Sequence, residues 1–186
     1  MTLPESTQIR SAEEIAEPAA DAIPQYEVPA GLDVVALAGR GAFCEVWKVR
    51  DRRNLATYAF KRLRPDWRAN AAARRFLGNE ARVAAAVRSK NVIGAPGIET
   101  ADRELGVVLE WLEGVSLEER LQNECPLSVS TALWVARQCA QGLLSLEQAG
   151  YAHGDVKPAN IFLTRGGDVK LVDLGFARPA GVRPKS

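Results

Sequence analysis

Cysteine is scarce in this 186-residue chain, with only Cys44, Cys125 and Cys139, an odd number without a C-x-x-C pair. That excludes a disulfide framework and a cysteine-built zinc cluster, and suits reduced thiols. Long apolar runs are missing: none approaches the roughly 20 residues that cross a bilayer, so no membrane span is expected. The start, Met1-Thr2-Leu3-Pro4-Glu5, has neither the basic opening nor the apolar stretch of a signal peptide, and the expected location is cytoplasmic. An excess of one charge is also lacking, since 24 Lys and Arg face 23 Asp and Glu, and nothing in that balance points to nucleic acid or an anionic surface as partner. There are no internal repeats. What is present is 47% hydrophobic residues, enough for a globular core in one domain or two small lobes.

Residues 1–30 are rich in Glu, Ala and Pro and predict a flexible leader. From Leu32 the pattern turns to short strands at 34–37, 45–49 and 57–61, separated by turn-prone Gly39, Gly41 and Asn54. A helix is predicted over 70–87, with Phe76, Leu77, Glu80, Val83, Ala84 and Val87 on one face. Strands follow near 97–100 and 106–111, then a short helix over 116–123. The longest helical pattern runs from 128 to 148, with Ser128 or Ser130 as N-cap, Gly150 as terminator, and Ala132, Ala136, Cys139, Leu143 and Leu146 as its apolar stripe. A hairpin of 161–163 and 169–172 turns at Gly166-Gly167.

Several short stretches carry chemistry. Gly39-Arg40-Gly41-Ala42-Phe43-Cys44, between two predicted strands, is the context of a glycine-rich loop whose amides approach phosphates, although Cys44 stands where G-x-G-x-x-G has its third glycine. Lys61 ends an apolar strand and Glu80 lies nineteen positions later on the core-facing side of the predicted helix, which pairs them. Asp155 and Asn160, five apart in Tyr151-Ala152-His153-Gly154-Asp155-Val156-Lys157-Pro158-Ala159-Asn160, supply an acid and an amide, and Asp173-Leu174-Gly175 follows thirteen positions after Asn160. Arg62, Arg64, Arg68, Arg74, Arg75, Arg82 and Arg88 read as a solvated face, and Cys44 as an inert small side chain.

In this order, from Leu32 to Ala177, these motifs resemble a eukaryotic-type serine/threonine protein kinase of the kind bacteria also carry. The resemblance implies an α+β fold with an antiparallel β N-lobe and one helix over 31–112, followed by a mainly helical C-lobe over 113–186 that is incomplete. It implies ATP and Mg²⁺ as cofactors and a protein Ser/Thr hydroxyl as substrate. Leu37, Gly39, Gly41, Val46 and Ala59 would cover the nucleotide and Phe162 would floor it. Leu109 would be the gatekeeper and Glu110, Trp111 and Leu112 the hinge. Lys61, ion-paired with Glu80, would hold the phosphates, Asn160 and Asp173 the metal, Asp155 would be the base, and Lys157 would steady the transferring phosphate. His153 would be a packed support for the Asp173 segment.

Two departures matter. Gly154 replaces the arginine of H-R-D, which in the family pairs with a phosphorylated activation loop, so that mode of activation is not expected. His-Gly-Asp also opens this loop in small-molecule kinases of the aminoglycoside phosphotransferase type, whereas Lys157 and the glycine-rich loop favour protein kinases. The chain ends eleven residues after Gly175, so an expectation of impaired transfer stands beside that of an active enzyme, and a nucleotide-binding regulatory or interaction module is the alternative.

Overall fold

Strand pairing follows the alternation of side chains. β1 (Leu32–Arg40), β2 (Cys44–Asp51), β3 (Thr57–Leu63) and β4 (Gly106–Glu110) form an antiparallel sheet in that order. The structure is a computed structural model that describes residues 28–97, 106–123 and 126–181. Successive residues of a strand face opposite sides. Val46, paired with Lys61, therefore faces the main core, while Trp47, paired with Phe60, joins Leu32, Val49 and Val108 in a small cluster on the outer face. Arg62 is buried rather than solvated, because its guanidinium bonds Glu45 across β2 and β3 at 3.0 Å, beside the Trp47 ring.

α1 (Ala71–Ala86) begins where the Asn70 side chain accepts from the amides of Ala72 and Ala73, both at 3.0 Å. Its buried residues are Ala73, Phe76, Leu77, Glu80, Val83 and Ala84, and Val87 is the buried C-cap, in agreement with the predicted face. The segment after α1 ties the two lobes together. Ile93 N–H donates to Leu171 O and Leu171 N–H to Asn91 O, both at 2.9 Å. Gly97 is in no strand, and the rest of the predicted 97–100 strand lies outside the described residues, as do Cys125 and residues 1–27 of the expected leader.

The second lobe contains β5 (Gly114–Ser116), α2 (Leu117–Asn123), α3 (Val129–Gln148), β6 (Tyr151–Ala152), β7 (Ile161–Thr164), β8 (Val169–Leu171) and β9 (Arg178–Pro179). The predicted hairpin is β7 and β8, joined by β5 in one sheet, while β6 pairs with β9. Ser128 caps α3 by accepting from Thr131 N–H.

The buried face of α3 differs from the predicted stripe. It carries Val135, Gln138, Gly142 and Leu146, whereas Ala132, Ala136 and Leu143 are exposed and Cys139 is half-buried. The reason is polar and steric. Gln138 Oε1 accepts from Asn91 Nδ2 at 2.9 Å and from Val169 N–H at 3.1 Å. At Gly142 the helix comes so close to the α1–β4 segment that a Cβ would stand 2.6 Å from Asn91 O. A glutamine and a glycine thus take core positions, and apolar Val129, Leu133 and Leu144 are left outside.

This assignment predicts that Leu146→Ala, at a fully buried site, lowers unfolding free energy by about 2–5 kcal/mol. Leu133→Ala, at a site 66% exposed, should change it by no more than ~0.5 kcal/mol. Urea titration distinguishes the two, and equal losses would contradict the orientation of α3.

Candidate active site

Between the sheet and β7 lies an open cleft. Val46 and Ala59 cover it from the sheet, Leu109, Trp111 and Leu112 run along its edge, and Phe162 and Val172 close it from the second lobe. Its inner end is polar, formed by Lys61, Glu80, Asn160 and Asp173. An apolar slot ending in a few converging polar groups suits a flat, largely apolar ring carrying a charged tail.

Leu37 is not part of this cleft. Pairing between β1 and β2 is irregular between Leu37 and Gly39, so that Leu37 stands opposite Trp47 and packs on the outer cluster, while Ala38 turns into the core with Val46 and Ala59. One extra residue in a strand shifts every side chain beyond it to the other face. Gly39 and Gly41 are not among the lining residues. Their loop is closed by Gly41 N–H donating to Cys44 O at 2.8 Å, and Arg64 Nη1 holds it from the side through Ala42 O at 3.2 Å. Phe43 is folded inward, with its ring edge-on to Phe76 at 5.1 Å. Burial pushes the Cys44 thiol up to about 12, so it is an inert thiol at neutral pH.

Lys61 is the centre of the polar end. Its Nζ lies 2.7 Å from Glu80 Oε2 and 3.0 Å from Asp173 Oδ1, with all three side chains nearly inaccessible. Burial alone disfavours the ammonium, but the Asp173 and Glu80 carboxylates beside it overcome that and hold its pKa above the usual lysine value. Burial likewise pushes Glu80 up, to about 7, against the pull of Lys61. Asp173 has left-handed backbone, φ 61° and ψ 64°, a conformation that persists only where neighbouring contacts impose it.

The loop after β6 brings the remaining candidates together. Asp155 Oδ2 accepts from Asn160 Nδ2 at 2.8 Å and lies 3.2 Å from Lys157 Nζ. Asn160 Nδ2 also donates to Asp155 O at 2.9 Å, which leaves its own carbonyl oxygen directed elsewhere. Asp155 and Lys157 are partly exposed and stand outside the cleft lining, beyond Asn160. His153 is buried, with Nε2 3.1 Å from Val172 O and Nδ1 accepting from Asp155 N–H. Those partners require a neutral ring protonated on Nε2, and burial holds its pKa below the usual histidine value. Gly154 has φ 84°, and a Cβ there would stand 2.3 Å from Phe176 O. The residue that departs from H-R-D is therefore held to glycine by the local backbone.

Sequence reasoning missed Ile93, Ser116, Ala159 and Val172 in the lining, and the fixing of Glu110. The Glu110 carboxylate accepts from Gly94 N–H and from Lys170 Nζ, each at 2.8 Å, which joins β4, the α1–β4 segment and β8 at the cleft edge. Val172, immediately before Asp173, carried a sequence signal in its position. The pairing of Glu110 with Lys170, sixty positions away, carried none.

Comparison with known proteins agrees with this geometry. The protein kinase domain family matches residues 32–185. A serine/threonine-protein kinase of Corynebacterium efficiens, drp72, is 33% identical over 80% of this chain and 29% of its own length. PknD of Mycobacterium tuberculosis, a serine/threonine-protein kinase, is 31% identical over 86% of this chain and 24% of its own. Mitogen-activated protein kinase kinase 10 of Arabidopsis thaliana is 30% identical over 79% and 46%. The chain thus spans less than half the length of these relatives.

Two outcomes test the loop geometry. Gly154→Ala should lower unfolding free energy by about 1–3 kcal/mol, the scale of a side chain forced into unfavourable backbone; unchanged urea midpoints would count against the Phe176 contact. The depressed pKa of His153 means that the unfolded chain binds its proton more readily, so this residue's contribution to stability is lost as pH falls below 6.5. Stability measured against pH should therefore fall more steeply on the acid side in the parent than in His153→Gln. Glu80 titrates with opposite sign in both proteins, so the difference between the two curves isolates His153.

Proposed function

Because the chain belongs to the protein kinase family, we propose that it transfers the γ-phosphoryl group of ATP to serine or threonine hydroxyls of a protein, with Mg²⁺ as the metal. The observation that carries this reading is the convergence of Lys61, Glu80 and Asp173 at the polar end of an apolar cleft, with Asn160 linking that end to Asp155.

In this reading Val46, Ala59 and Phe162, which line the cleft from its two sides, would hold the adenine, together with Leu109 and the backbone of Glu110 to Leu112. Glu110, fixed by Lys170 and Gly94 N–H, keeps that edge in place. Lys61 stays protonated and offers a point charge to the phosphates, with Glu80 directing its Nζ into the cleft.

The donor set suits magnesium. Among the described residues no three acidic, histidine or cysteine side chains converge as a metal cluster, and Mg²⁺ characteristically takes one or two carboxylates, substrate phosphates and water. Asp173 and the carbonyl oxygen of Asn160 would hold it. When bound, the ion neutralises charge on the β- and γ-phosphates.

Asp155 orients the acceptor hydroxyl and takes its proton, while Lys157, 3.2 Å from the same carboxylate, steadies the transferring group. Asn160, which lines the cleft, holds Asp155 beside it by donating to both the backbone and a side-chain oxygen of Asp155. Catalysis of this kind rests on positioning and charge neutralisation. Among the described residues no helix is long and apolar enough to cross a membrane, and the proposed place of action is the cytoplasm, where ATP and reduced thiols are maintained.

Asp155→Asn should lower turnover by about 10² to 10⁴, the scale of a positioned proton acceptor, while Mg-dependent ATP affinity is kept. Phosphoryl transfer from radiolabelled ATP to a protein acceptor measures the first and a fluorescent ATP analogue the second. Equal transfer rates for parent and variant would overturn the role of Asp155. Transfer to sugars or aminoglycosides in preference to protein would overturn the substrate class.

A further inference from the structure

Asn79 stands one residue before Glu80 on α1, and its side chain makes contacts of its own with the turn that follows Asp173. Its Nδ2 donates to Gly175 O at 2.9 Å and to Ala177 O at 2.8 Å, with Leu174 O at 3.4 Å. Its Oδ1 accepts from Arg82 Nη2. Arg82 in turn donates from Nη1 to Tyr151 Oη at 3.0 Å and lies over the Tyr151 ring, 5.3 Å from its centroid. With carbonyl oxygens on one side and a guanidinium on the other, only one orientation of the amide satisfies all partners.

Glu80, the next residue, accepts from the backbone N–H of Leu174 while pairing with Lys61. Two consecutive side chains of α1, one a donor and one an acceptor, therefore hold the same short turn. That turn begins at Asp173, whose left-handed backbone needs external support. Phe76, one helical turn earlier, stacks edge-on against Phe176 with centroids 4.8 Å apart, so α1 grips the turn through three side chains on one face.

We propose that Asn79 is a positioning residue that locks α1 to the 174–177 turn, so that the Lys61–Glu80 pairing and the orientation of Asp173 form and break as one unit. The part of this that concerns metal use rests on the kinase reading above. Displacing α1 would break Asn79 from Gly175 and Ala177 together with Glu80 from Lys61 and Leu174, and Arg82 would pass the change to Tyr151, at the start of the catalytic loop. The sites of nucleotide contact and proton transfer would then respond to α1 together.

The test uses the whole 186-residue chain and two variants, Asn79→Ala and Arg82→Leu, the second at an exposed side chain whose loss does not threaten folding. Without nucleotide or metal, amide hydrogen exchange at residues 174–177 should quicken about ten-fold in Asn79→Ala, the scale of losing one or two hydrogen bonds, while amides of β2 and β3 keep their rates. The Mg²⁺ concentration for half-maximal binding of a fluorescent ATP analogue should rise about ten-fold, and the maximal transfer rate at saturating Mg²⁺ should fall by a smaller factor. Arg82→Leu should move both readouts in the same direction by less. Unchanged exchange and an unchanged Mg²⁺ requirement would overturn the proposal, as would exchange that quickens evenly through the whole chain. If the parent itself shows no Mg-dependent nucleotide binding, the kinase reading fails, and local exchange at 174–177 alone decides whether the lock exists.

Discussion

A buried ammonium organises this molecule. Lys61 is 5% exposed, and an isolated charge at such a site is prohibitively unfavourable unless opposite charges meet it. Its partners come from two other places in the fold: Glu80 from α1 and Asp173 from the segment after β8. The sheet, the helix and the second lobe must all be in place before the charge is satisfied. Removing one member of such a buried group costs about 3–5 kcal/mol, whereas the group as a whole adds little to stability compared with apolar packing. Its retention is best understood through chemistry, since it presents a fixed positive charge and a carboxylate at the closed end of an apolar cleft.

The parts that hold this triad are arranged around the cleft. On one side, Asn91 and Gln138 form a buried polar knot with Val169, and the segment after α1 pairs with β8. On the edge, Glu110 is shared between Gly94 and Lys170. These bonds fix the distance between the lobes, and therefore the height of the slot between Val46 or Ala59 and Phe162. On the far side, Asn79 and Glu80 hold the turn after Asp173. Asn160 then links Asp173's end of the cleft to Asp155, since its backbone oxygen accepts from Val172 N–H, next to Asp173, and its side chain donates to Asp155.

Much of the fold was legible without coordinates. α1 was readable because Phe76, Leu77, Glu80, Val83 and Ala84 follow helical spacing, and the β7–β8 hairpin because two short apolar runs flank Gly166-Gly167. The short strands β5, β6 and β9 escaped because two or three residues carry no periodicity. The face of α3 was misjudged because Gln138 and Gly142 are core residues for reasons other than hydrophobicity, namely partners on Asn91 and Val169 and a close backbone approach. Leu37 was misplaced because an irregularity in strand pairing cannot be seen in the alternation of one strand taken alone.

The candidate residues of the site were determined by the sequence: Lys61, Glu80, Asp155, Lys157, Asn160 and Asp173 are each singled out by residue type and spacing within contiguous stretches. Their convergence was decided only by tertiary structure. The same holds for the burial of Arg62 against Glu45, the glycine-only backbone at Gly154 against Phe176, and the hold of Asn79 on Gly175 and Ala177. The physical reason is that spacing along a chain sets which local bonds a residue can make. Which way a side chain faces, and which distant carbonyl or carboxylate satisfies it, depends on how the elements pack.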